Sequence, residues 1–350
     1  MPRKKQVTLR TLASKLGLSV YTVSKALRGK PGMSEHTRHE VFELAQKLGY
    51  FTKEQERSLL YEGIPVFPAK SRRFIFAAAA DLLLISPLHR QLFKGLQERL
   101  SELGHKVEAV DIPLNLDNGI PFEQWLEQHG VLYADGIFIT PVVPVPIEAK
   151  LLALPIPRVL LNFPPAGVLA DSIIWDVYDA VQQSVQYLVN MGHERIMYIG
   201  NTIQARGYKL RWQAFNEAIS EAGLRTSPED HMTETYKELD AWMAKFKQIF
   251  RRIRPTALLC TIDKDLSWIY YACSTMGIQI PGDCSIISLE TAEDSFIPNV
   301  SRPNLLIKET GYRAADRMLW RIANPHLPCE HIRLRGGFYK GETVMNPPAR

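Results

Sequence analysis

The chain has 350 residues, 46% of them hydrophobic and 23% charged, a globular composition that excludes disordered and fibrous classes. At roughly 100 to 200 residues per domain, this length predicts two or three domains with core enough to fold without disulfides. The formal charge of +5 is unevenly spread: residues 1–34 hold eight Lys or Arg and no acid, residues 1–60 carry a net +7, and the other 290 carry −2.

A concentrated positive field suits a polyanion, because neutralising phosphates releases counterions. A solvated basic tail has the same charge, so the pattern inside the segment decides. The longest apolar run, Phe74 to Ala80, stops at Asp81, far short of the ~20 residues a membrane span needs. Arg3-Lys4-Lys5 leads into mixed polar sequence rather than a secretory apolar region. Cys260, Cys273, Cys284 and Cys329 lack C-x-x-C spacing and read as reduced thiols. A cytoplasmic protein without a membrane partner is expected.

Thr8 is placed to cap a helix over Leu9 to Leu16, whose Leu9, Leu12, Ala13 and Leu16 share one face, and Gly17 ends it. Ser19 caps a second helix, Val20 to Leu27, which buries Val23, Ala26 and Leu27. Two short helices joined by a tight Gly turn make a helix-turn-helix. Ser34 caps a third, with the stripe Val41, Leu44, Ala45 and Leu48 and Gly49 at its end. The outward face of the second helix offers Tyr21, Thr22, Ser24, Lys25 and Arg28, all hydrogen-bond donors, with no acid to repel DNA. Such a helix fits the major groove, its first residues reading base edges while hydroxyls and helix N-termini grip phosphates.

The stretch from Val7 through Leu27 (VTLRTLASKLGLSVYTVSKAL), then Lys30-Pro-Gly-Met-Ser-Glu-His-Thr-Arg and Leu48-Gly-Tyr, resembles the head of the LacI/GalR family of bacterial transcriptional regulators. The resemblance implies that Val20 and Tyr21 hold the variable base-reading positions and that Lys25 faces a guanine. It implies that Thr8, Ser19, Thr22, Ser24, Ser34 and Thr37 are phosphate contacts, and that Leu59 stands where the family wedges a leucine into the minor groove, a contact that kinks DNA. The hinge departs from the family pattern: Tyr50-Phe51-Thr52-Lys53 lacks the Pro-Asn pair, and Glu54 and Glu56 bring repelling charge close to where DNA would lie. Residues 61–71, with Gly63, Pro65 and Pro68, read as a linker.

From Arg72 to about Phe338 short apolar runs alternate with amphipathic stretches. Strands are expected near Phe74 to Ala80, Val107 to Val110, Gly136 to Thr140, Arg158 to Leu161, Ile196 to Ile199, Ala257 to Cys260 and Ser285 to Leu289. Helices are expected near His89 to Leu103, Tyr178 to Met191, Leu210 to Ala222, Leu239 to Arg254, Asp265 to Met276 and Thr310 to Ile322. This is an α/β pattern of parallel sheets, with 339–350 left as a C-terminal tail.

Ala134-Asp-Gly-Ile-Phe-Ile, Met191-Gly-His-Glu-Arg-Ile and Pro281-Gly-Asp-Cys-Ser-Ile-Ile extend the resemblance. It implies two doubly wound subdomains like a periplasmic sugar-binding protein, forming an effector-binding and dimerisation core with the ligand cleft between them. In α/β folds ligands bind beyond the C-terminal strand ends. The positions resembling effector contacts are Asn162, Arg211, Asp263 and Glu290, with Phe163, Trp175 and Phe296 as aromatic walls. Here too the pattern departs: Ile262-Asp263 stands for Asn-Asp, Ser288-Leu289-Glu290 for Gly-aromatic-Asp, and Arg211-Trp-Gln-Ala-Phe for Arg-x-x-Gly-Phe.

His193-Glu194 is not H-E-x-x-H, because position 197 is Met. His326, Cys329 and His331 sit in a Pro-rich stretch with no evident fourth ligand. With no Walker, G-x-S-x-G or G-x-G-x-x-G motif, neither catalysis nor a cofactor or metal is expected. The sequence thus predicts a homodimeric DNA-binding regulator, a repressor reading a palindromic operator, with a sugar-like small molecule as the effector of its core. The competing reading is a small-molecule binding protein whose altered hinge has disabled its DNA head; an α/β enzyme has the least support.

Overall fold

The structure, a computed structural model, describes residues 7–27, 33–48, 50, 71–79, 81–112, 121–203, 205–261, 263–289 and 299–348. The chain divides into two compact units, Met1–Phe67 and Pro68–Arg350.

The first unit is a three-helix head of α1 (Leu9–Leu16), α2 (Val20–Leu27) and α3 (Glu35–Leu48). Gly17 stops α1 in the left-handed region at φ 63°, and the Leu18 amide then returns to the Ala13 carbonyl at 3.0 Å. Leu12, Ala13, Val23, Ala26, Leu27, Val41 and Ala45 form the buried core, with Leu9, Leu16, Leu44 and Leu48 packed at its margin. The apolar stripes read from the sequence are therefore the faces that meet.

The second unit contains two parallel sheets. One has six strands in the order β10-β5-β4-β3-β1-β2: β1 (Arg73–Ala79), β2 (Lys106–Ile112), β3 (Gly136–Ile139), β4 (Arg158–Leu160), β5 (Asp171–Trp175) and β10 (His331–Leu334). It is flanked by α4 (Leu82–Ile85), α5 (Pro87–Glu102), α6 (Phe122–Gln128) and α7 (Val145–Leu152). The other has three strands in the order β6-β7-β8: β6 (Ile196–Ile199), β7 (Ala257–Cys260) and β8 (Ser285–Ser288). With it go α8 (Val177–Asn190), α9 (Arg206–Glu221), α10 (Leu239–Ile253) and α11 (Asp263–Thr275).

Burial on both faces explains the continuous apolar runs. Along β1, Phe74, Phe76 and Ala78 enter one core with Leu92, Leu96 and Leu100 of α5, while Ile75, Ala77 and Ala79 enter the opposite core with Trp125 of α6 and Leu151 of α7. Leu258 and Leu259 of β7 divide in the same way between two cores of the second sheet.

The late segment α12 (Ile307–Ala323) packs on α5, and β10 joins the first sheet beside β5. The chain thus passes between the halves near 175–177, 303–307 and 334–338. β9 (Arg302–Pro303) and β11 (Phe338–Tyr339) pair antiparallel beside the last two passages.

Three differences from the sequence reading have physical causes. The unexpected strands β5 and β10 begin with Asp171-Ser172 and alternate as His331-Ile-Arg-Leu, so neither shows an apolar run. The unexpected helix α7 starts inside a proline-rich stretch, with Pro146 in its first turn, where a missing amide costs nothing. Beyond β11, the stretch read as a tail is fastened to β8: the Ile286 amide donates to the Thr343 carbonyl at 2.8 Å, and Ser285 Oγ meets the Met345 carbonyl at 3.1 Å.

Candidate nucleic-acid interface and cleft

All three head helices start with one device. The hydroxyl of Thr8, Ser19 or Ser34 accepts the amide three residues on, at 3.3, 3.0 and 3.1 Å. It also pairs with the hydroxyl of Thr11, Thr22 or Thr37, at 3.0, 2.8 and 2.8 Å. The common capping box places Glu or Gln at that third position, and a Glu there would oppose a phosphate. Threonine satisfies the cap without charge, and the first turns of α1 and α2 contain no acid. The positive ends of these helices are thereby left open to an anion. The sequence reading named five of the six hydroxyls and missed Thr11, which the thrice-repeated [Ser/Thr]-x-x-Thr spacing would have revealed.

On α2, Val23, Ala26 and Leu27 are buried, which turns the other side outward. Tyr21 is 72% exposed and Val20 40%, with Thr22, Ser24 and Lys25 half-buried beside them. An aromatic this exposed contributes nothing to the head's core. Arg28, Leu59, Glu54 and Glu56 lie outside the described residues. On α3, Glu40 and Glu43 stand 3.4 and 3.3 Å from His36 and His39.

In the second unit, Asn162 follows β4 and is buried; its Oδ1 accepts the Phe163 amide at 2.8 Å and its carbonyl accepts Ser172 Oγ at 2.7 Å. Arg211, one and a half turns into α9, is buried, donates to the Thr261 carbonyl beyond β7, and has its guanidinium carbon 5.1 Å from the centre of the Tyr208 ring. Thr261 Oγ1 meets the Tyr198 hydroxyl at 3.1 Å, and burial pushes that phenol up to about 12. Asp263 opens α11, its side chain lying outside the described residues together with Glu290 and Phe296. Phe163 and Trp175 are buried in one cluster.

The sequence reading overlooked a contact that joins the two halves. Arg206, the first residue of α9, places Nη1 and Nη2 2.9 and 2.6 Å from the carboxylate of Glu148 on α7, and Nε 2.5 Å from the Phe163 carbonyl. No local pattern marks two residues 58 positions apart as partners.

A helix-turn-helix head joined to a core of two parallel-sheet halves defines a DNA-binding transcriptional regulator. Residues 8–53 match the family model of the lacI family of bacterial regulatory proteins, and residues 185–344 match that of a periplasmic binding protein-like domain. The chain is 23% identical over 323 residues to the HTH-type transcriptional regulator DegA of Bacillus subtilis, covering 89% of this chain and 91% of that one. It is 23% identical over 319 residues to the HTH-type transcriptional repressor PurR of Pasteurella multocida, covering 90% and 92%. The lac repressor dimer bound to operator and the anti-inducer ONPF has a similar fold, with a TM-score of 0.63, 21% identity and coverage of 97% and 100%. These relatives are regulators, a non-enzymatic family. Among the described residues no helix is long and apolar enough to cross a membrane.

Proposed function

We propose that this protein is a cytoplasmic repressor that binds a palindromic operator as a homodimer. The carrying observation is the head itself: three helix N-termini capped by hydroxyls, beside a second helix that exposes Val20 and Tyr21 with the half-buried Lys25 on the same helix. Val20, Tyr21 and Lys25 read base edges, Thr8, Ser19, Thr22, Ser24, Ser34 and Thr37 hold phosphates, and Arg28 donates to a phosphate or a base. Leu59 is the hinge wedge. Two heads on a two-fold axis require related half-sites, and the lac repressor dimer on its operator supports that arrangement.

The core, residues 72–338, takes a small sugar-like effector between its halves. Asn162, Arg211, Asp263 and Glu290 are the contacts, and the anti-inducer held by the lac repressor supports a small-molecule site in this fold. The competing reading, a binding protein with a disabled head, draws on Glu54 and Glu56.

Selection of bound duplexes from a random DNA pool at ~100 to 150 mM salt, where nonspecific phosphate binding is weakened, separates the two. An enriched palindrome is expected. A folded dimer that enriches nothing, with or without a panel of sugars and phosphorylated metabolites, would leave only the binding-protein reading.

A further inference from the structure

Glu148 and Arg206 stand on opposite halves of the core. Glu148 lies on α7, against the first sheet, with its side chain 2% exposed. Arg206 opens α9, beside the second sheet, and spends three nitrogens on the first half: two on the Glu148 carboxylate and one on the Phe163 carbonyl. A Cβ added at the neighbouring Gly207 would lie 3.6 Å from the Phe163 ring, so the start of α9 rests on the aromatic that follows Asn162.

We infer that the Glu148–Arg206 pair is a latch that holds the two halves of the core closed on each other with no effector bound. Domain halves joined by a few crossing segments move relative to one another by default unless their interface forbids it. A paired carboxylate removed from water is stable only while its partner stays, because a lone buried charge is far more costly than the pair. The planar fork of Arg206 satisfies both oxygens of Glu148 at once, a geometry that a rotation between the halves destroys. Opening therefore requires that the pair separate and both ions be rehydrated. The closed arrangement belongs to the chain itself, and a ligand acts by biasing an equilibrium that this pair already sets. The inference concerns the core alone and stands whether or not the head binds DNA.

Double electron–electron resonance tests it in the full chain. Nitroxides are placed on cysteines introduced at Leu132 of the first half and Tyr271 of the second, both exposed, with the exposed Cys329 replaced by Ser. Labelled protein is diluted in excess unlabelled protein so that measured pairs lie within one chain. Without any small molecule, the otherwise unaltered chain is expected to give one narrow distance distribution. Glu148→Gln keeps the shape and removes the charge; Arg206→Lys keeps the charge and removes the fork. Each is expected to raise the population at longer distance at least about tenfold, with thermal unfolding confirming a folded protein. If Glu148→Gln fails to fold, Arg206→Lys decides. A folded variant with the unaltered distance distribution, or a parent chain already spread over both distances, overturns the latch.

Discussion

Gly95 of α5 and Gly311 of α12 let two helices more than 200 residues apart in sequence touch backbone to backbone. A Cβ at Gly95 would lie 1.9 Å from the Lys308 carbonyl oxygen, and one at Gly311 2.1 Å from that of Leu92. Both glycines are helical, so their role is close approach rather than an unusual backbone angle. The crossing seats α12, which arrives after the second half of the core is built, against the first half. Leu92, Leu96, Ala314, Ala315 and Met318 are buried beneath it.

Replacing either glycine by alanine must push the helices apart, because the obstructing atoms are backbone. Overpacking of this kind costs about 1 to 3 kcal/mol, outweighing the roughly 1 kcal/mol that alanine gains over glycine in a helix. Gly95→Ala is expected to lower the urea midpoint of the core, whereas Gly282→Ala, where a Cβ meets only the Gln279 side chain at 3.5 Å, is not. Equal midpoints for the two variants would refute the crossing argument.

Asp171 carries the second tie between distant segments. Its carboxylate, 1% exposed, accepts from Arg317 at 2.6 Å, Arg321 at 2.5 Å and the Glu330 amide at 2.9 Å, joining β5, α12 and the entry to β10. Arg317 also has its guanidinium carbon 3.8 Å from the centre of the Trp320 ring. Burial alone would raise the Asp171 pKa, but the Arg321, Glu330 and Arg317 hydrogen bonds together outweigh it and hold it below the usual carboxylate value. Asp171→Asn leaves Arg321 without its carboxylate and Arg317 with only the half-exposed Glu330, 2.7 Å from its other nitrogen, and is expected to cost about 3 kcal/mol. Since the folded value is depressed, the contribution is complete above the unfolded pKa of ~3.9 and fades as pH falls through the lower folded one. Acid titration below pH 4 should therefore destabilise the parent chain more than the asparagine variant.

His231 gives the opposite half its own pH dependence. The ring is buried against Trp212 and Phe215, accepts the Tyr198 amide at 3.0 Å through Nδ1, and meets Thr226 Oγ1 at 2.5 Å through Nε2. Burial lowers its pKa from 6.5 to about 4. The unfolded chain takes up the proton first as pH falls, so stability from the neutral ring is whole above pH 6.5, declines between 6.5 and 4, and changes no further below. That span corresponds to about 3 kcal/mol. Urea midpoints measured across the window should fall for the parent chain and fall less for His231→Gln; parallel profiles would show that another group governs it.

How much of this was legible depends on the range of each interaction. The head was read almost residue by residue, because its caps at Thr8, Ser19 and Ser34 and its apolar stripes act within one or two turns. β1 and β7 were visible as apolar runs for the equally local reason that both their faces are buried. Strand β10 was not, since His331-Ile-Arg-Leu shows its place only once β5 lies beside it. The ties between Glu148 and Arg206, or Asp171 and Arg317, depend on tertiary topology, and buried charge looks like surface charge until its partner is found.

Lys25 offers the sharpest test of the head. A lysine presents one point charge to a guanine edge, whereas arginine presents a fork that matches both acceptors. Lys25→Ala is expected to cost about 1 to 3 kcal/mol on the selected operator and much less on random DNA, while Lys25→Arg should tighten discrimination at that single base pair. Ser34→Ala should behave differently, weakening both classes of DNA alike and leaving the salt dependence unchanged, because a neutral hydroxyl on a phosphate carries neither sequence information nor charge. It also removes the cap of α3, worth about 1 kcal/mol of stability, so binding is compared only where thermal unfolding shows the head intact. If Lys25→Ala lost as much affinity for random DNA as for the operator, Lys25 would be a phosphate contact, and base reading would fall to Val20 and Tyr21.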